Sequence, residues 1–345
     1  MSMPADAPAR DATEVTTMTY RQAVFAALDD EFATDPTVLM MGEDIANSGG
    51  VFKTNEGLVE RYGPERVRNT PICENTFIGL ALGMAVTGMR PIVEVMFSDF
   101  LPTAADAIVN ELPKFRFMSG GQCAAPVTVR SIGGATGRFG TQHSATGESW
   151  YLQLPGLRIA AAATPQSAYG LLRAAIRDDN PSLVIEHKGL YARKGEVVRG
   201  DAGIAEIGRA EILRPGSDLT VAATLLMADR ALAAAEQLAE EGLEIEVIDL
   251  RWLRPFDIET CAESVGRTGK LVVAEEQYHH GGWGASLISQ LTMQGTRWQA
   301  PPRAVSLPPE MLIPYSPPLE DTIVPSTELI ASTIREAART SGGAG

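Results

Sequence analysis

Short apolar runs that predict buried strands alternate with segments that predict helices along almost the whole of this sequence. The predicted strands cover residues 37–41, 91–96, 126–131, 182–186, 219–223, 244–250 and 271–275. The predicted helices cover residues 19–28, 75–86, 165–177, 228–241 and 328–338, and one more begins near residue 285. This alternation predicts an α/β fold with mostly parallel sheets that are covered by helices on both faces.

The length of 345 residues is enough for about two domains. The stretch 194–215 is rich in glycine and charge and only weakly periodic, so we place the domain boundary there. We therefore predict two doubly wound domains, at 18–195 and 216–340, joined by a linker at 196–215. Residues 1–17 mix acids with Ala and Pro and predict a flexible tail rather than a targeting signal.

Composition argues against several classes of protein. The chain carries 29 Lys and Arg against 43 Asp and Glu, a net charge of −14, which disfavours nucleic acid as a partner. No uncharged apolar run is long enough to cross a membrane. Cys73, Cys123 and Cys261 lie too far apart for a zinc cluster or a disulfide framework, so each is expected to be a buried apolar residue. Together these features predict a cytoplasmic protein.

Three side chains lie where strands or extended segments give way to other structure. Glu74 begins a helix, where the helix dipole favours a carboxylate that is either solvated or held to bind a ligand nitrogen. Met96 and Phe100 lie at the end of a predicted strand, where ligands collect in open α/β sheets, and core packing is the alternative. Phe97 points to the opposite face and is expected in the core.

A glycine-rich run, GGATGRFG at 133–140, comes shortly before His143. It matches neither GxGxxG nor the P-loop, so its glycines predict tight turns rather than a phosphate cradle. A histidine on such a loop is either inert or functional, since loops often carry binding and catalytic residues. The sequence contains no GxSxG, which argues against a serine hydrolase.

Two further clusters suggest ions. Asp178, Asp179 and Asn180 end a predicted helix, and they form either a capped turn or a site whose oxygens hold a monovalent cation. His279 and His280 have no third ligand at metal spacing, which disfavours a metal site. The glycines that follow this pair predict a close approach to a ligand or to another subunit.

Glu74, Met96, Phe100 and His143, in this order and spacing, resemble the β subunit of the E1 component of thiamine-diphosphate-dependent 2-oxo acid dehydrogenases. The pattern is similar to the pyruvate, branched-chain and acetoin dehydrogenase β subunits. The resemblance spans about residues 18–339 and includes GED at 42–44, RVRNTPI at 66–72, MSGGQ at 118–122, PGL at 155–157, EVIDLR at 246–251 and PYSPPLE at 314–320. It implies a transketolase-like pyrimidine-binding domain followed by a transketolase C-terminal domain.

The resemblance also implies residue roles. Glu74 matches the acid that hydrogen-bonds N1′ of the cofactor's aminopyrimidine, which favours an imino tautomer able to take the proton from the thiazolium carbon. Met96 and Phe100 match residues that pack on the pyrimidine ring. His143 matches a histidine that faces the reacting centre as a proton donor or orienting group. Glu43 matches an acid near Glu74 that relays protons.

The family holds its diphosphate and Mg²⁺ with a GDG motif that these 345 residues lack. The resemblance therefore implies that an E1 α subunit supplies that half of the cofactor site in an α2β2 heterotetramer. A lipoyl acyltransferase, E2, is implied as acceptor, and a small 2-oxo acid or acetoin as substrate. Ala175, Asp178 and Asn180 match positions that hold potassium in some members.

The sequence departs from the family pattern in one region and at one loop position. Ala107 and Ala145 each replace a glutamine, Pro113 is expected to kink its helix, and a tyrosine often found near Phe117 is absent. None of these changes touches Glu74, so cofactor activation should survive, whereas substrate choice and acceptor docking are affected. Two alternatives stay open: half of a split transketolase-like or carboligating enzyme without a lipoyl acceptor, and a non-catalytic structural β-like subunit.

Overall fold

The structure is a computed structural model that describes residues 14–340. Its strands are β1 (Val15–Thr19), β2 (Val38–Gly42), β3 (Val67–Asn69), β4 (Arg90–Val95), β5 (Thr128–Gly133), β6 (Arg158–Ala161), β7 (Ser182–His187), β8 (Lys194–Val198), β9 (Glu211–Arg214), β10 (Leu219–Ala223), β11 (Ile245–Asp249), β12 (Trp252–Arg254), β13 (Leu271–Tyr278) and β14 (Arg303–Leu307). Its α-helices are α1 (Tyr20–Thr34), α2 (Ile45–Ser48), α3 (Leu58–Tyr62), α4 (Glu74–Val86), α5 (Leu112–Met118), α6 (Pro165–Arg177), α7 (Leu225–Ala239), α8 (Ile258–Thr268), α9 (Trp283–Met293), α10 (Pro317–Ile323) and α11 (Thr327–Arg339).

The first sheet has seven strands in the order β12-β6-β7-β5-β4-β2-β3. Its pairs are parallel except for the antiparallel pair of β12 and β6. Alternate residues of a strand point to opposite faces, so Val38 and Met40 pack in the cluster that includes α1 and α6, whereas Leu39 and Met41 pack in the cluster that includes α4. Both faces are therefore covered, as the continuous apolar run at 37–41 predicts.

The second sheet has five strands in the order β14-β13-β10-β11-β9. The antiparallel pair is β9 with β11, and the others are parallel. Val247 of β11 packs in the cluster with α7 and α11, and the next residue, Ile248, packs in the cluster with α8 and α9. The α/β architecture with helices on both faces is thus present in both halves of the chain.

Two pairings cross the boundaries that the sequence suggested. Residues 15–17, expected in the flexible tail, begin β1, which pairs antiparallel with β8 at the start of the expected linker. Residues 211–214, also expected in the linker, form β9 at the edge of the second sheet. Edge strands bury few side chains, so they have little apolar periodicity and their sequences look like linkers. Residues 1–13 of the predicted tail lie outside the described part.

The start of α1 follows from its sequence, and its end does not. Thr19 caps the helix, and the capping box predicted with the residue three places on is present. The apolar pattern ends at Leu28, yet α1 continues to Thr34. Glu31 in this extension is buried and forms an ion pair of 2.6 Å with Arg173 of α6. The buried face of α1 therefore continues through Glu31, because its charge is paired, although the sequence pattern predicts a polar helix end there.

The three thiols are free, and only one is buried. Cys261 lies in the core, as predicted. Cys73 is exposed and Cys123 is half-buried, so the predicted burial is wrong for these two. Cys73 is the residue immediately before α4, and its side chain is exposed at the start of that helix. No helix within residues 14–340 combines the length and apolar character needed to span a membrane.

One buried carboxyl group makes the stability of the fold depend on pH. Burial raises the pKa of Glu148 from 4.5 to about 7, and its Oε2 atom has no hydrogen-bond partner within the described residues. Protonated Glu148 stabilises the folded state fully below the unfolded-state pKa, and this contribution is lost as pH rises through about 7. We therefore expect Glu148→Gln to raise the free energy of unfolding by about 1–3 kcal/mol at about pH 8, with no change at about pH 4.

Urea unfolding at the two pH values measures this effect. Glu236→Gln is the matched control, because Glu236 is exposed on α7. An unfolding free energy that is unchanged or lowered at the higher pH would show that Glu148 is not held protonated.

Candidate active site

Two carboxyl groups, Glu43 and Glu74, lie at the carboxyl edge of the first sheet. Glu43 follows β2, and Glu74 is the first residue of α4. Because β2 and β3 are parallel and the Gly42 carbonyl accepts a hydrogen bond of 3.0 Å from the amide of Thr70, the segment after β3 returns to the end of β2. Glu43 and Glu74 are both buried. The predicted proximity of these two acids is present.

The two acids interact electrostatically. Burial raises the pKa of Glu43, and the charges of Glu74 and Asp44 raise it further. Oε1 of Glu43 is buried and has no hydrogen-bond partner in the described part of the chain. A carboxyl group in this state holds a proton more readily than a solvated one and is free to exchange it with a neighbour.

An open apolar pocket is lined by residues on either side of Glu74 in the sequence, although Glu74 itself is not among its lining residues. A pocket of about 260 Å³ lies beside the start of α4, and Met41, Pro71, Phe77 and Leu80 are among its lining residues. This surface lies at the same sheet edge as the acid pair.

A cluster of rings surrounds His143. The imidazole contacts Phe97 with ring centroids 4.7 Å apart and Phe100 with centroids 5.3 Å apart, both edge to face. Phe97 is buried, as predicted, but it is not separate from the site. The strand ends at Val95, and the 3-10 turn Ser98–Ala104 brings Phe100 back to within 5.8 Å of Phe97. The alternation of faces that assigned Phe97 to the opposite side applies only inside the strand.

Two charged residues near His143 were not singled out from the sequence. Lys188 is buried, and its Nζ donates a hydrogen bond of 2.6 Å to the main-chain carbonyl of His143. Burial lowers the pKa of Lys188 to about 8, although nearby carboxylates, Glu276 first and then Asp99, oppose this shift. Asp99 accepts a hydrogen bond of 3.2 Å from the amide of Ala145. Both residues follow parallel strands, β7 and β4, and this position is the signal that would have identified them.

The sheet order explains which predicted residues meet. The ends of β2, β4, β5 and β7 are neighbours, so Glu43, Met96, the loop of His143 and Lys188 share one edge of the first sheet. Met96 and Phe100 are half-buried there, as side chains open to a ligand would be.

Ala175, Asp178 and Asn180 lie elsewhere, at the end of α6 and the opposite edge of β7. Asp178 pairs with Arg158 at 2.8 Å, and Oδ1 of Asn180 accepts a hydrogen bond of 2.9 Å from Arg116. The side-chain oxygens of this cluster are therefore already partnered. Residues 14–340 contain no group of three or more His, Cys, Asp or Glu side chains arranged to hold a metal ion.

Three departures from the family pattern, at Ala107, Pro113 and Phe117, lie together outside the ring cluster, whereas Ala145 lies in the His143 loop, where its amide donates to Asp99. Pro113 falls in the first turn of α5, directly after a π-helical turn, Ala107–Glu111, so its missing amide breaks no hydrogen bond of α5, and the kink stays a prediction. Phe117 is 89% exposed, and it lines an apolar groove of about 740 Å³ together with Pro113.

Comparisons with known proteins identify both domains of the chain. The transketolase pyrimidine-binding domain matches residues 16–194, and the transketolase C-terminal domain matches residues 208–330. The chain is 37% identical over 333 residues to the pyruvate dehydrogenase E1 component subunit beta of Rhizobium meliloti, which covers 96% of this chain and 72% of that protein. The chain belongs to the family of E1 β subunits.

A second relative of this E1 β chain is the subunit beta of acetoin:2,6-dichlorophenolindophenol oxidoreductase from Cupriavidus necator. The two are 39% identical over 329 residues, which covers 92% of this chain and 97% of the relative. A split gene transketolase, described as an inactive β4 tetramer, has the same fold with a TM-score of 0.77 and 23% identity, over 93% of this chain and 98% of that one.

The ring cluster makes a testable contribution to stability. Phe97 is buried among four other rings, so Phe97→Ala is expected to lower the free energy of unfolding by about 3–5 kcal/mol. Phe117→Ala, the matched control on an exposed side chain, is expected to change it by less than about 0.5 kcal/mol. Urea unfolding of both variants measures the difference, and equal effects would contradict the packing around His143.

Proposed function

We propose that this chain is the β subunit of a heterotetrameric E1 enzyme that decarboxylates a 2-oxo acid, or cleaves acetoin, on thiamine diphosphate. The acyl group then passes to the lipoyl group of an E2 acyltransferase. The observation that carries this proposal is the buried pair Glu43 and Glu74 at the edge of a pyrimidine-binding domain. Relatives named as pyruvate dehydrogenase and acetoin oxidoreductase β subunits support it.

The residues present fit the pyrimidine half of the cofactor. A buried carboxyl group with a second one beside it, at the same sheet edge as the half-buried Met96 and Phe100, suits a ring that has both a basic nitrogen and an apolar face. When bound, thiamine diphosphate supplies a thiazolium carbon that adds to a carbonyl group and accepts the electron pair released on cleavage. Glu74 would hydrogen-bond N1′ and share its proton, and Glu43 would restore that proton. Met96 and Phe100 would pack on the ring.

His143 would act on the substrate side. Its ring is fixed between Phe97 and Phe100, while Lys188 binds its main chain, so it loses little conformational freedom when a substrate arrives. In this position His143 would donate or orient a proton during decarboxylation and acyl transfer.

The other half of the cofactor site would come from an E1 α subunit. The sequence lacks the GDG motif that holds Mg²⁺ and diphosphate in this family. Ile72 and Leu80, on either side of Glu74, are 85% and 56% exposed, which suits a surface that a partner covers. We place the complete site at an α/β interface of an α2β2 assembly, with the cytoplasm as its compartment.

A dehydrogenase E1 is favoured over a split transketolase-like enzyme. The curated relatives that match nearly the whole chain carry E1 and acetoin oxidoreductase names, whereas the transketolase structure shares only the fold at 23% identity. A purely structural β-like subunit would not need the buried acid pair.

The first test is a calorimetric titration with thiamine diphosphate and Mg²⁺. We expect no tight binding to this chain alone and tight binding to the complex with a GDG-containing α subunit. Tight binding to the chain alone would contradict the shared site.

Replacement of Glu74 tests the catalytic role. Glu74→Gln keeps the shape of the side chain but removes the exchangeable carboxyl proton, so turnover of the complex should fall by about 10²-fold or more. Glu60→Gln is the control, since Glu60 is also a first-turn glutamate but is exposed on α3. Unchanged turnover in Glu74→Gln would favour the structural-subunit alternative.

We also propose a potassium site at the end of α6, around Ala175, Asp178 and Asn180. Because the side-chain oxygens of Asp178 and Asn180 are partnered, main-chain carbonyls at the C-terminus of α6 would hold the ion. The carbonyl of Asp178 already accepts a hydrogen bond of 3.2 Å from Nη1 of Arg90, so only its second lone pair is open to the ion. We expect K⁺ at ~100 mM to raise Tm by about 2 °C over Na⁺ or choline. Equal Tm values in all three salts would contradict this site.

A further inference from the structure

The loop that carries His143 is bound by the C-terminal half of the chain. Glu320 of α10 is almost fully buried, and its Oε1 accepts a hydrogen bond of 2.9 Å from the amide of Thr136. Its Oε2 accepts one of 2.5 Å from Nη1 of Arg138. One carboxylate therefore binds both the main chain and a side chain of the loop between β5 and His143.

Two further contacts bind the end of this loop, near His143, to the C-terminal half of the chain. The hydroxyl of Thr141 donates to the carbonyl of Ile313 at 3.0 Å, two residues before His143. The ring of Tyr315 lies against Gly140, where an added Cβ would be 2.4 Å from the ring. Gly140 also has a φ of 74°, so only glycine suits this position.

The two residues that Glu320 binds have unusual backbone conformations. Thr136 has a φ of 70° and Arg138 a φ of 62°. Both values lie in the left-handed region, which residues other than glycine and asparagine rarely adopt. Such conformations persist only where the surrounding structure holds them. Glu320 binds both of them, and Oε1 of Glu276 accepts a hydrogen bond of 2.6 Å from the preceding amide, that of Ala135, so two buried carboxylates hold this part of the loop in place.

The position of Glu320 is coupled to His143 through Lys188. Lys188 donates to the carbonyl of His143, and its side chain passes beside Gly137, where an added Cβ would be 3.1 Å from Cε. The Glu320 charge also acts on the Lys188 ammonium. The loop from Thr136 to His143 is thus held between Lys188 on one side and Glu320 on the other.

We propose that Glu320 is a positioning residue for His143, through which the C-terminal domain sets the place of this ring in the active site. The inference rests on the role proposed above for His143. Without the carboxylate, Arg138 loses its buried partner and the left-handed residues lose their support. The imidazole then no longer stays between Phe97 and Phe100, although the pyrimidine side of the site, at Glu43 and Glu74, is untouched.

The test uses the α/β complex with Glu320→Gln, and with Glu320→Ala where that variant folds. Asp321→Asn is the matched control, because Asp321 pairs with the same arginine at 2.8 Å but is exposed and binds no loop amide. We expect Glu320→Gln to lower kcat by about tenfold while the Kd for thiamine diphosphate stays within about twofold. Asp321→Asn should leave both within about twofold of wild type.

Hydrogen exchange of the full chain gives a readout independent of activity. In Glu320→Gln, peptides covering 134–147 should exchange about tenfold faster, while the strands of both sheets keep their protection. Unchanged exchange there, an unchanged kcat, or a loss of protection across both sheets would overturn the proposal. If the wild-type complex turned over neither pyruvate, a branched-chain 2-oxo acid nor acetoin, the proposed function would fail, while the exchange of 134–147 would still decide whether Glu320 holds the loop.

Discussion

Arg130, at the centre of the first sheet, joins three neighbouring strands and the segment between β2 and β3 in one buried network. Its guanidinium is fully buried and bonds Glu94 on one neighbouring strand, at 2.7 Å, and Glu186 on the other. It also donates to Thr54 and Asn55, at 3.0 and 3.1 Å. Although burial alone lowers the pKa of a guanidinium, the two carboxylates raise that of Arg130 above its usual value. Losing one partner of such a network leaves a buried charge, at a cost of about 3–5 kcal/mol.

This network and the parallel strands together create a site from residues that are far apart in sequence. Thr54 and Asn55 lie between α2 and α3, in the segment that follows Glu43, so Arg130 holds the chain about ten residues beyond the first acid. Parallel pairing then aligns the strand ends, and the turns after them present an acid, an aromatic ring, a histidine and a lysine at one edge. Apart from Glu74, which begins α4, these titratable groups lie on loops and short turns, and the sheet beneath them determines their spacing.

The sequence predicts those features that depend on interactions between residues close together in the chain. The starts of α1 and α6 follow from Thr19 and Thr164, whose side chains bond amides within three residues. The family pattern singles out Glu74 and His143 from the sequence, and their roles stay proposals. What could not be predicted depends on distant partners: Glu31 extends α1 because an arginine over 140 residues away neutralises it.

The same reason explains the missed members of the site. Lys188 and Asp99 look like ordinary charged residues until the fold brings them beside the histidine loop. The tail is predicted from its acidic, Ala- and Pro-containing composition, and the linker from its glycine, charge and weak periodicity. A short strand such as β1 or β8 shares these features with coil. The pattern of a single sequence reflects the interactions of a residue with its neighbours along the chain. It does not show which strand will pair beside that residue in the sheet.

The antiparallel strand β12 has a consequence for how the chain is made. It belongs to the second half in sequence, yet it covers the β6 edge of the first sheet, pairing Trp252 with Ala160. During synthesis the N-terminal half therefore carries an open strand edge until residues 252–254 have left the ribosome. An open edge is the part of a sheet most prone to pair with another chain. This edge of the first sheet is therefore open to aggregation until β12, which lies in the second half of the sequence, has been made and has paired with β6.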